Sequence, residues 1–183
     1  WIPHLHARLG TKRVVVEIDE HIARFEGISI RKFPGDAVRT ALPALGDATR
    51  VVVLAGDVPL LSASALARLE GALDAGSGAG IAVLTALLGD AGAYGRVVRC
   101  DDGRFARIVE AKDATSGELA LGEINSGLYA FDRAVLEREL PRLTDDNAQR
   151  EFYLTDVLGL AVEDGIGVVA IPVEDPSEVL GVN

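Results

Sequence analysis

One short segment of the sequence joins a strand to a carboxylate in a way that is typical of phosphate and metal sites. The aliphatic run Val51–Leu54 is followed by Gly56 and Asp57. In open α/β sheets, ligands bind outside the carboxyl ends of the strands. Mg²⁺ prefers oxygen ligands and shares its shell with substrate phosphates. The segment is therefore compatible with Asp57 as a metal ligand and Gly56 as a point of close approach to a ligand. The alternative is that Asp57 caps the turn into the following helix.

Three further elements each place a polar residue or a glycine at the end of a strand. They are Tyr94–Arg96, Val109–Asp113 and Glu123–Gly127. Sugars are bound by carboxylates, amides and backbone groups, so Glu110 and Asn125 are suitable in type. Taken singly, each of these residues is better explained as a turn or cap residue. Their joint occurrence favours a sugar site.

Composition restricts the class of ligand. The chain has 183 residues, 49% of them hydrophobic, and a net charge of −10. That charge argues against a nucleic-acid surface, which needs clustered Lys and Arg, and favours small-molecule substrates. Cys100 is the only cysteine, so an internal disulfide is excluded. No apolar run reaches the length of about 18 residues that spans a membrane, and no signal peptide opens the chain, so we expect a cytoplasmic protein without membrane contact.

Strand-like and helical stretches alternate along the chain. The predicted strands are Val14–Glu17, Ile28–Arg31, Arg50–Leu54, Ile81–Leu87, Gly95–Arg99, Arg107–Glu110, Ser126–Phe131 and Gly167–Ile171. The predicted helices are Glu20–Phe25, Gly35–Leu42, Ser64–Ala75, Arg133–Leu143 and Phe152–Glu163, with Ser62 and Asp132 as N-caps. The strand Arg50–Leu54 lacks polar alternation, which indicates a central parallel strand covered on both faces. The pattern predicts one Rossmann-like α/β domain, with a mixed, mostly parallel sheet and a β-rich lobe.

Other motifs favour structural interpretations. His4 and His6 form an H-x-H pair without a third ligand nearby, which favours surface histidines. The glycine-rich run Ala75–Gly80 leaves a helix and enters a strand, whereas a phosphate loop does the reverse. No Ser-His-Asp or Cys-His arrangement is apparent, so nucleophilic side-chain catalysis is not expected.

A series of motifs, in this order, resembles the uridylyltransferase half of the bacterial bifunctional N-acetylglucosamine-1-phosphate uridylyltransferase / glucosamine-1-phosphate acetyltransferase family. The motifs are Gly56–Leu61, Tyr94–Arg96, Ile108–Thr115, Glu123–Gly127, Asn147–Asp156 and Gly181–Asn183. Gly-Asp-x-Pro alone indicates only the wider sugar nucleotidyltransferases. The block Asn147–Asp156, which reads NAQREFYLTD, is far more specific.

The resemblance implies an activity and a set of site residues. The family joins N-acetylglucosamine-1-phosphate to the α-phosphate of UTP with Mg²⁺ and releases pyrophosphate; its product serves peptidoglycan synthesis in the cell wall. Its metal ligands fall on Asp57 and Asn183. Its sugar contacts fall on Gly95, Glu110 and Asn125. Asp57 thus carries the catalytic role, and Gly56 belongs to the substrate-binding set.

Departures from the family pattern limit what we expect of the chain by itself. The glycine-rich nucleotide loop with its first strand, the Pro-Lys pair and the acetyltransferase part are not found, and Ile30–Asp36 replaces the base-reading segment. We therefore expect an incomplete nucleotidyltransferase domain spanning residues 1–183, in a chain that begins with Trp1 as a fragment does. It should be weakly active or inactive alone, and monomeric where the full-length family is trimeric. Two alternatives stay open: a non-catalytic sugar-phosphate-binding remnant, and a transferase for another sugar-1-phosphate. Loss of the first strand should also leave sheet edges unpaired.

Overall fold

A computed structural model describes residues 13–18, 23–25, 28–30, 34–74 and 76–181. Within them, nine strands form one sheet. The strands are β1 Arg13–Ile18, β2 Ala23–Phe25, β3 Ile28–Ile30, β4 Arg50–Ala55, β5 Ala79–Leu87, β6 Arg96–Arg99, β7 Phe105–Val109, β8 Glu123–Asp132 and β9 Gly167–Pro172. The α-helices are α1 Pro34–Ala41, α2 Ala63–Gly71, α3 Ser116–Leu119, α4 Arg133–Glu139 and α5 Thr155–Glu163. Short 3₁₀ turns cover Leu42–Ala44, Leu140–Arg142 and Pro176–Val179.

The sheet has the order β3-β2-β1-β4-β8-β5-β9, and β6 joins β8 to β7. β4 is parallel to β1 along its whole length and antiparallel to β8. β5 lies between β8 and the parallel strand β9. Hence β1, β4, β5 and β9 run in one direction, with β8 reversed among them. The predicted mixed α/β sheet is confirmed; among the described strand pairings, β1–β4 and β5–β9 are parallel and the other six are antiparallel. Since β4 has a neighbour on each side, the unpaired edge expected from a missing strand does not occur there.

Burial explains why β4 shows no alternation of polar residues. Val51 and Val53 pack into one cluster with apolar residues of α1, α4 and α5. Val52 and Leu54 pack on the other face with apolar residues of α2. All four side chains are at most 5% exposed. The strand is thus the middle layer of a three-layer arrangement, and its carboxyl end is held in place by both cores.

Several predicted elements change in the structure. Of the helix predicted over Glu20–Phe25, the described part, Ala23–Phe25, is strand β2, so this prediction is wrong. Pairing of β2 with β1 and β3 decides the conformation against the local helical spacing. The helix predicted to end at Leu143 ends at Glu139 and continues as a 3₁₀ turn, because Pro141 cannot supply a helical N–H.

The capping predictions had different outcomes. Ser62 is confirmed as an N-cap, since its Oγ accepts a hydrogen bond of 3.1 Å from the N–H of Ala65. Asp132 holds the N-cap position of α4 but makes no side-chain cap. Its carboxylate lies 4.0 Å from Nε of Arg50, the residue paired with it across β4 and β8. Helix α3, which was not predicted, begins with a capping box between Thr115 and Glu118. No helix in these described ranges is both long enough and apolar enough to cross a membrane.

Candidate functional site

Asp57 stands at the carboxyl end of β4, in the turn that follows Ala55. The turn leads to α2, whose N-terminus is capped by Ser62. The helix is therefore capped by Ser62 and not by Asp57. Within the described residues, its partly buried carboxylate makes no hydrogen bond or ion pair. Its oxygen lone pairs remain available for a ligand from outside the described fold.

The last described residue, Gly181, passes directly against Asp57. A Cβ atom placed on Gly181 would lie only 2.4 Å from Oδ2 of Asp57, so no larger residue fits without displacing the carboxylate. The N–H of Gly181 donates a hydrogen bond of 3.1 Å to the hydroxyl oxygen of Tyr94. Gly181, two residues before Asn183, therefore lies beside Asp57, the other predicted metal ligand. Asn183 itself lies outside the described residues, and its role stays a prediction.

The three predicted sugar contacts are neighbours. A Cβ atom on Gly95 would lie 3.2 Å from Oε2 of Glu110. The carbonyl of Gly95 accepts a hydrogen bond of 2.9 Å from the backbone N–H of Asn125. The structure thus brings together Gly95, Glu110 and Asn125, which are widely separated in the sequence. Their assignment as sugar contacts stays a prediction.

Two contacts connect this group to Asp57. Tyr94, which precedes Gly95, holds Gly181 beside the Asp57 carboxylate. Gly127 of β8 has a φ of +77°, and a Cβ atom placed on it would lie 3.5 Å from the Cβ atom of Ala55 at the end of β4. A continuous series of contacts therefore runs from the predicted metal side to the predicted sugar side.

The carboxyl group of Glu110 has a raised pKa. Burial raises its pKa, and the nearby charges of Asp156, Asp113 and Glu151 raise it further, whereas a hydrogen bond from Thr155 opposes the shift. That bond joins Oγ1 of Thr155 to Oε1 of Glu110 at 3.0 Å. No ion pair to Glu110 occurs among the described residues. An incoming ligand with hydroxyl donors would stabilise its charged form.

The block Asn147–Asp156 supports the Glu110 side of the site. Oδ1 of Asn147 accepts hydrogen bonds from the backbone N–H groups of Gln149 and Glu151, at 3.2 and 3.1 Å. Asp113 accepts bonds from the N–H of Ala148 and the hydroxyl of Tyr153. The block therefore forms a turn that is hydrogen-bonded to Asp113 in the loop after Glu110. Its residue Thr155 is the first residue of α5. The resemblance to a family rests on this block, but Thr155 was not predicted as the partner of Glu110.

A cavity of about 470 Å³ adjoins Glu110 between β7, α5 and the loop before the block. Its polar lining includes Glu110, Asp113, Tyr153, Thr155 and Asp156. Gly95, Asn125 and Asp57 do not line it. Glu110 therefore lies between the cavity and the Gly95–Asn125 side.

Within the described residues, no group of three or more His, Cys, Asp or Glu side chains could hold a metal ion. A Mg²⁺ ion here would be bound by Asp57, by the predicted ligand Asn183 and by substrate phosphates. Mg²⁺ often binds through one or two protein carboxylates together with substrate phosphates. The unpaired carboxylate of Asp57 fits that donor set.

The fold and the residue set define a class of protein. Residues 34–176 match the family described as Nucleotidyl transferase, and the chain belongs to that family. The Bifunctional protein GlmU of Paracidovorax citrulli is 45% identical to it over 176 residues, which is 91% of this chain and 36% of that protein. The protein of the same name from Geobacter metallireducens is 40% identical over 198 aligned positions, covering all of this chain and 41% of that protein.

These relatives confirm the resemblance to the bifunctional bacterial family. The chain spans 36% of the length of the first of these relatives and 41% of the second. Among solved structures, a putative glucose-1-phosphate thymidylyltransferase from Bacillus anthracis superposes with a TM-score of 0.59 at 18% identity. That match covers 78% of this chain and 53% of the other. At this identity it supports the fold alone, which is that of nucleotide-diphospho-sugar transferases.

Proposed function

We propose that the chain provides the sugar side of an uridylyl transfer from UTP to N-acetylglucosamine-1-phosphate. In this reaction a phosphate oxygen of the sugar-1-phosphate bonds to the α-phosphorus of UTP. The bond from that phosphorus to the bridging oxygen breaks, and pyrophosphate leaves with the electron pair. The observation that supports the proposal best is the series of contacts from Asp57 through Gly181 and Tyr94 to Gly95, Glu110 and Asn125.

The residue types agree with what this reaction needs. The attacking sugar phosphate is already an anion, so the reaction needs alignment and charge neutralisation more than a general base. Glu110 accepts hydrogen bonds and Asn125 both donates and accepts, which suits a ligand rich in hydroxyl groups. Mg²⁺ bound by Asp57 and Asn183 would neutralise phosphate charge. We expect the side chains of Glu110 and Asn125 to orient the sugar.

We expect this chain to bind the sugar phosphate without catalysing the transfer at a normal rate. The family's glycine-rich loop and Pro-Lys pair, which hold the triphosphate, have no counterpart in the 183 residues. Loss of several charge-assisted contacts, each worth about 1.5–3 kcal/mol, lowers a rate by many orders of magnitude. We therefore expect the chain to bind N-acetylglucosamine-1-phosphate and to release pyrophosphate very slowly or not at all.

Calorimetry with N-acetylglucosamine-1-phosphate tests the sugar side directly. Wild type should bind, Asn125→Ala and Glu110→Ala should bind at least about tenfold more weakly, and Leu69→Ala should bind as wild type does, because Leu69 belongs to the core below α2. The same titration with glucose-1-phosphate tests the choice of sugar, and equal affinities would refute N-acetylglucosamine-1-phosphate as the specific substrate.

A pyrophosphate-release assay tests whether the chain also catalyses the transfer. Binding without turnover is also what a non-catalytic remnant would show, and restoration of turnover by adding the family's nucleotide loop would decide for the transferase.

A further inference from the structure

An irregularity in β8 brings two of its own side chains together. Asn125 is paired with Thr85 and Tyr129 with Val83, so four residue steps along β8 lie opposite only two steps along β5. In a regular strand, positions four apart are separated by about 13 Å. The bulge around Gly127, which has a φ of +77°, shortens this distance, and the two side chains bond directly.

The resulting hydrogen bonds occupy most of the Asn125 amide. Its Nδ2 donates to the hydroxyl oxygen of Tyr129 at 2.7 Å, and that hydroxyl lies 3.0 Å from Oδ1, to which it donates. Oδ1 also accepts a bond of 3.1 Å from the backbone N–H of Gly127. Both lone pairs of the amide oxygen are thereby used, together with one of the two Nδ2 protons. One N–H of Asn125 remains without a partner among the described residues.

Burial makes the Tyr129 hydroxyl a fixed partner. Tyr129 is 3% exposed and Asn125 is 9% exposed. Within the described part of the chain, the hydroxyl hydrogen-bonds to Asn125 alone. Burial, and secondarily the charge of Glu110, raises the pKa of Tyr129, so the hydroxyl stays protonated at physiological pH. The backbone bond from Asn125 to Gly95, which lies against Glu110, places the Asn125–Tyr129 pair beside Glu110.

We propose that Tyr129 is a positioning residue that acts through Asn125. The backbone N–H of Gly127 fixes which end of the amide is the oxygen, and the Tyr129 hydroxyl holds the amide in that position, so that the free N–H is presented to the sugar. The site would then select a ligand with an acceptor oxygen at that position. This inference rests on the proposed function, because it assumes that Asn125 contacts the sugar-1-phosphate.

A double-mutant cycle on N-acetylglucosamine-1-phosphate binding tests the inference. Tyr129→Phe keeps the ring and removes the hydroxyl, and the dissociation constant should rise about three- to tenfold, the usual effect of one neutral hydrogen bond. In an Asn125→Ala background the same substitution should change the dissociation constant less than twofold, because its effect passes through the amide. An equal loss in both backgrounds, or no loss in either, would overturn the inference. Leu69→Ala is the control for destabilisation and should leave the affinity unchanged.

Side-chain NMR of the wild-type chain provides a test that needs no variant. One Nδ2 proton of Asn125 should exchange slowly with solvent, and the other should shift when the sugar phosphate is added. Two protons that respond alike would contradict the assigned orientation. If the wild-type chain does not bind the sugar phosphate, the proposed function and this inference both fail. If Asn125→Ala weakens binding and Tyr129→Phe does not, this inference alone fails.

Discussion

Replacing Gly181 by alanine should damage the Asp57 site without disrupting the fold. The new Cβ atom would lie 2.4 Å from Oδ2 and 3.1 Å from Cγ of Asp57, whereas ordinary contact begins at 3.4 Å. The carboxylate and the Gly181 backbone must therefore separate by about 1.0 Å, which is 3.4 minus 2.4 Å. Overpacking of this kind costs about 1–3 kcal/mol. The hydrogen bond from Gly181 to Tyr94 should weaken as well.

The expected functional effect is larger than the loss of stability. Changing a group that supports a metal ligand typically lowers metal affinity by about 10- to 100-fold. We would measure the binding of Mn²⁺, as a paramagnetic substitute for Mg²⁺, by electron paramagnetic resonance in the presence of N-acetylglucosamine-1-phosphate. Gly181→Ala should weaken Mn²⁺ binding by that factor, and Asp57→Asn should do so at least as strongly.

Gly71→Ala is the matched control for this substitution. Its new Cβ atom would lie 3.9 Å from the nearest atom, Oδ2 of Asp74, and alanine favours the helix by up to about 1 kcal/mol. It should bind Mn²⁺ as wild type does and unfold at the same or a higher temperature. Unchanged Mn²⁺ binding in Gly181→Ala, with Asp57→Asn impaired, would refute the claim that Gly181 keeps the Asp57 carboxylate in place.

Three further predictions concern Glu110, Thr155 and Ser62. The folded-state pKa of Glu110 is raised, so its ionisation destabilises the fold as pH rises from about 4.5 through the folded pKa. Glu110→Gln should therefore unfold at higher denaturant concentration than wild type at pH 7–8 and show little difference below pH 4, and a constant difference across this range would contradict the assignment. Thr155→Val removes the bond to Glu110. It should weaken sugar-phosphate binding about three- to tenfold, with the pKa of Glu110, followed by carboxyl NMR, rising further; an unchanged pKa would argue against the contact. Ser62→Ala removes the cap of α2 and should cost about 1 kcal/mol in urea unfolding with no change in sugar affinity.

The sequence by itself predicts the strand that carries Asp57 and the cap of the helix that follows it. The uninterrupted run in β4 predicts a strand buried on both faces, because alternation is lost only when both faces are covered. Gly56 and Asp57 follow that run directly, so their place at the sheet edge is a local consequence. The cap at Ser62 is local too, since its partner Ala65 is three residues away. The assignment of Gly95, Glu110 and Asn125 to one site required the motif series in addition.

Other features depend on contacts that local patterns do not encode. Thr155 and Glu110 are 45 residues apart and meet only because α5 packs beside β7. Of the helix predicted over Glu20–Phe25, residues Ala23–Phe25 form strand β2. Pairing with β1 and β3 overrides the helical spacing of the apolar residues there.

In this protein, local hydrophobic patterning determined which segments form the central strand and where the carboxylate follows it. Strand register and close packing decided which side chains meet. The bond between Tyr129 and Asn125 needs the register shift against β5, and the contact of Gly181 with Asp57 needs two distant segments to approach within van der Waals distance. Such contacts depend on the relative placement of whole elements, which becomes fixed only when the cores on both faces of the sheet are packed.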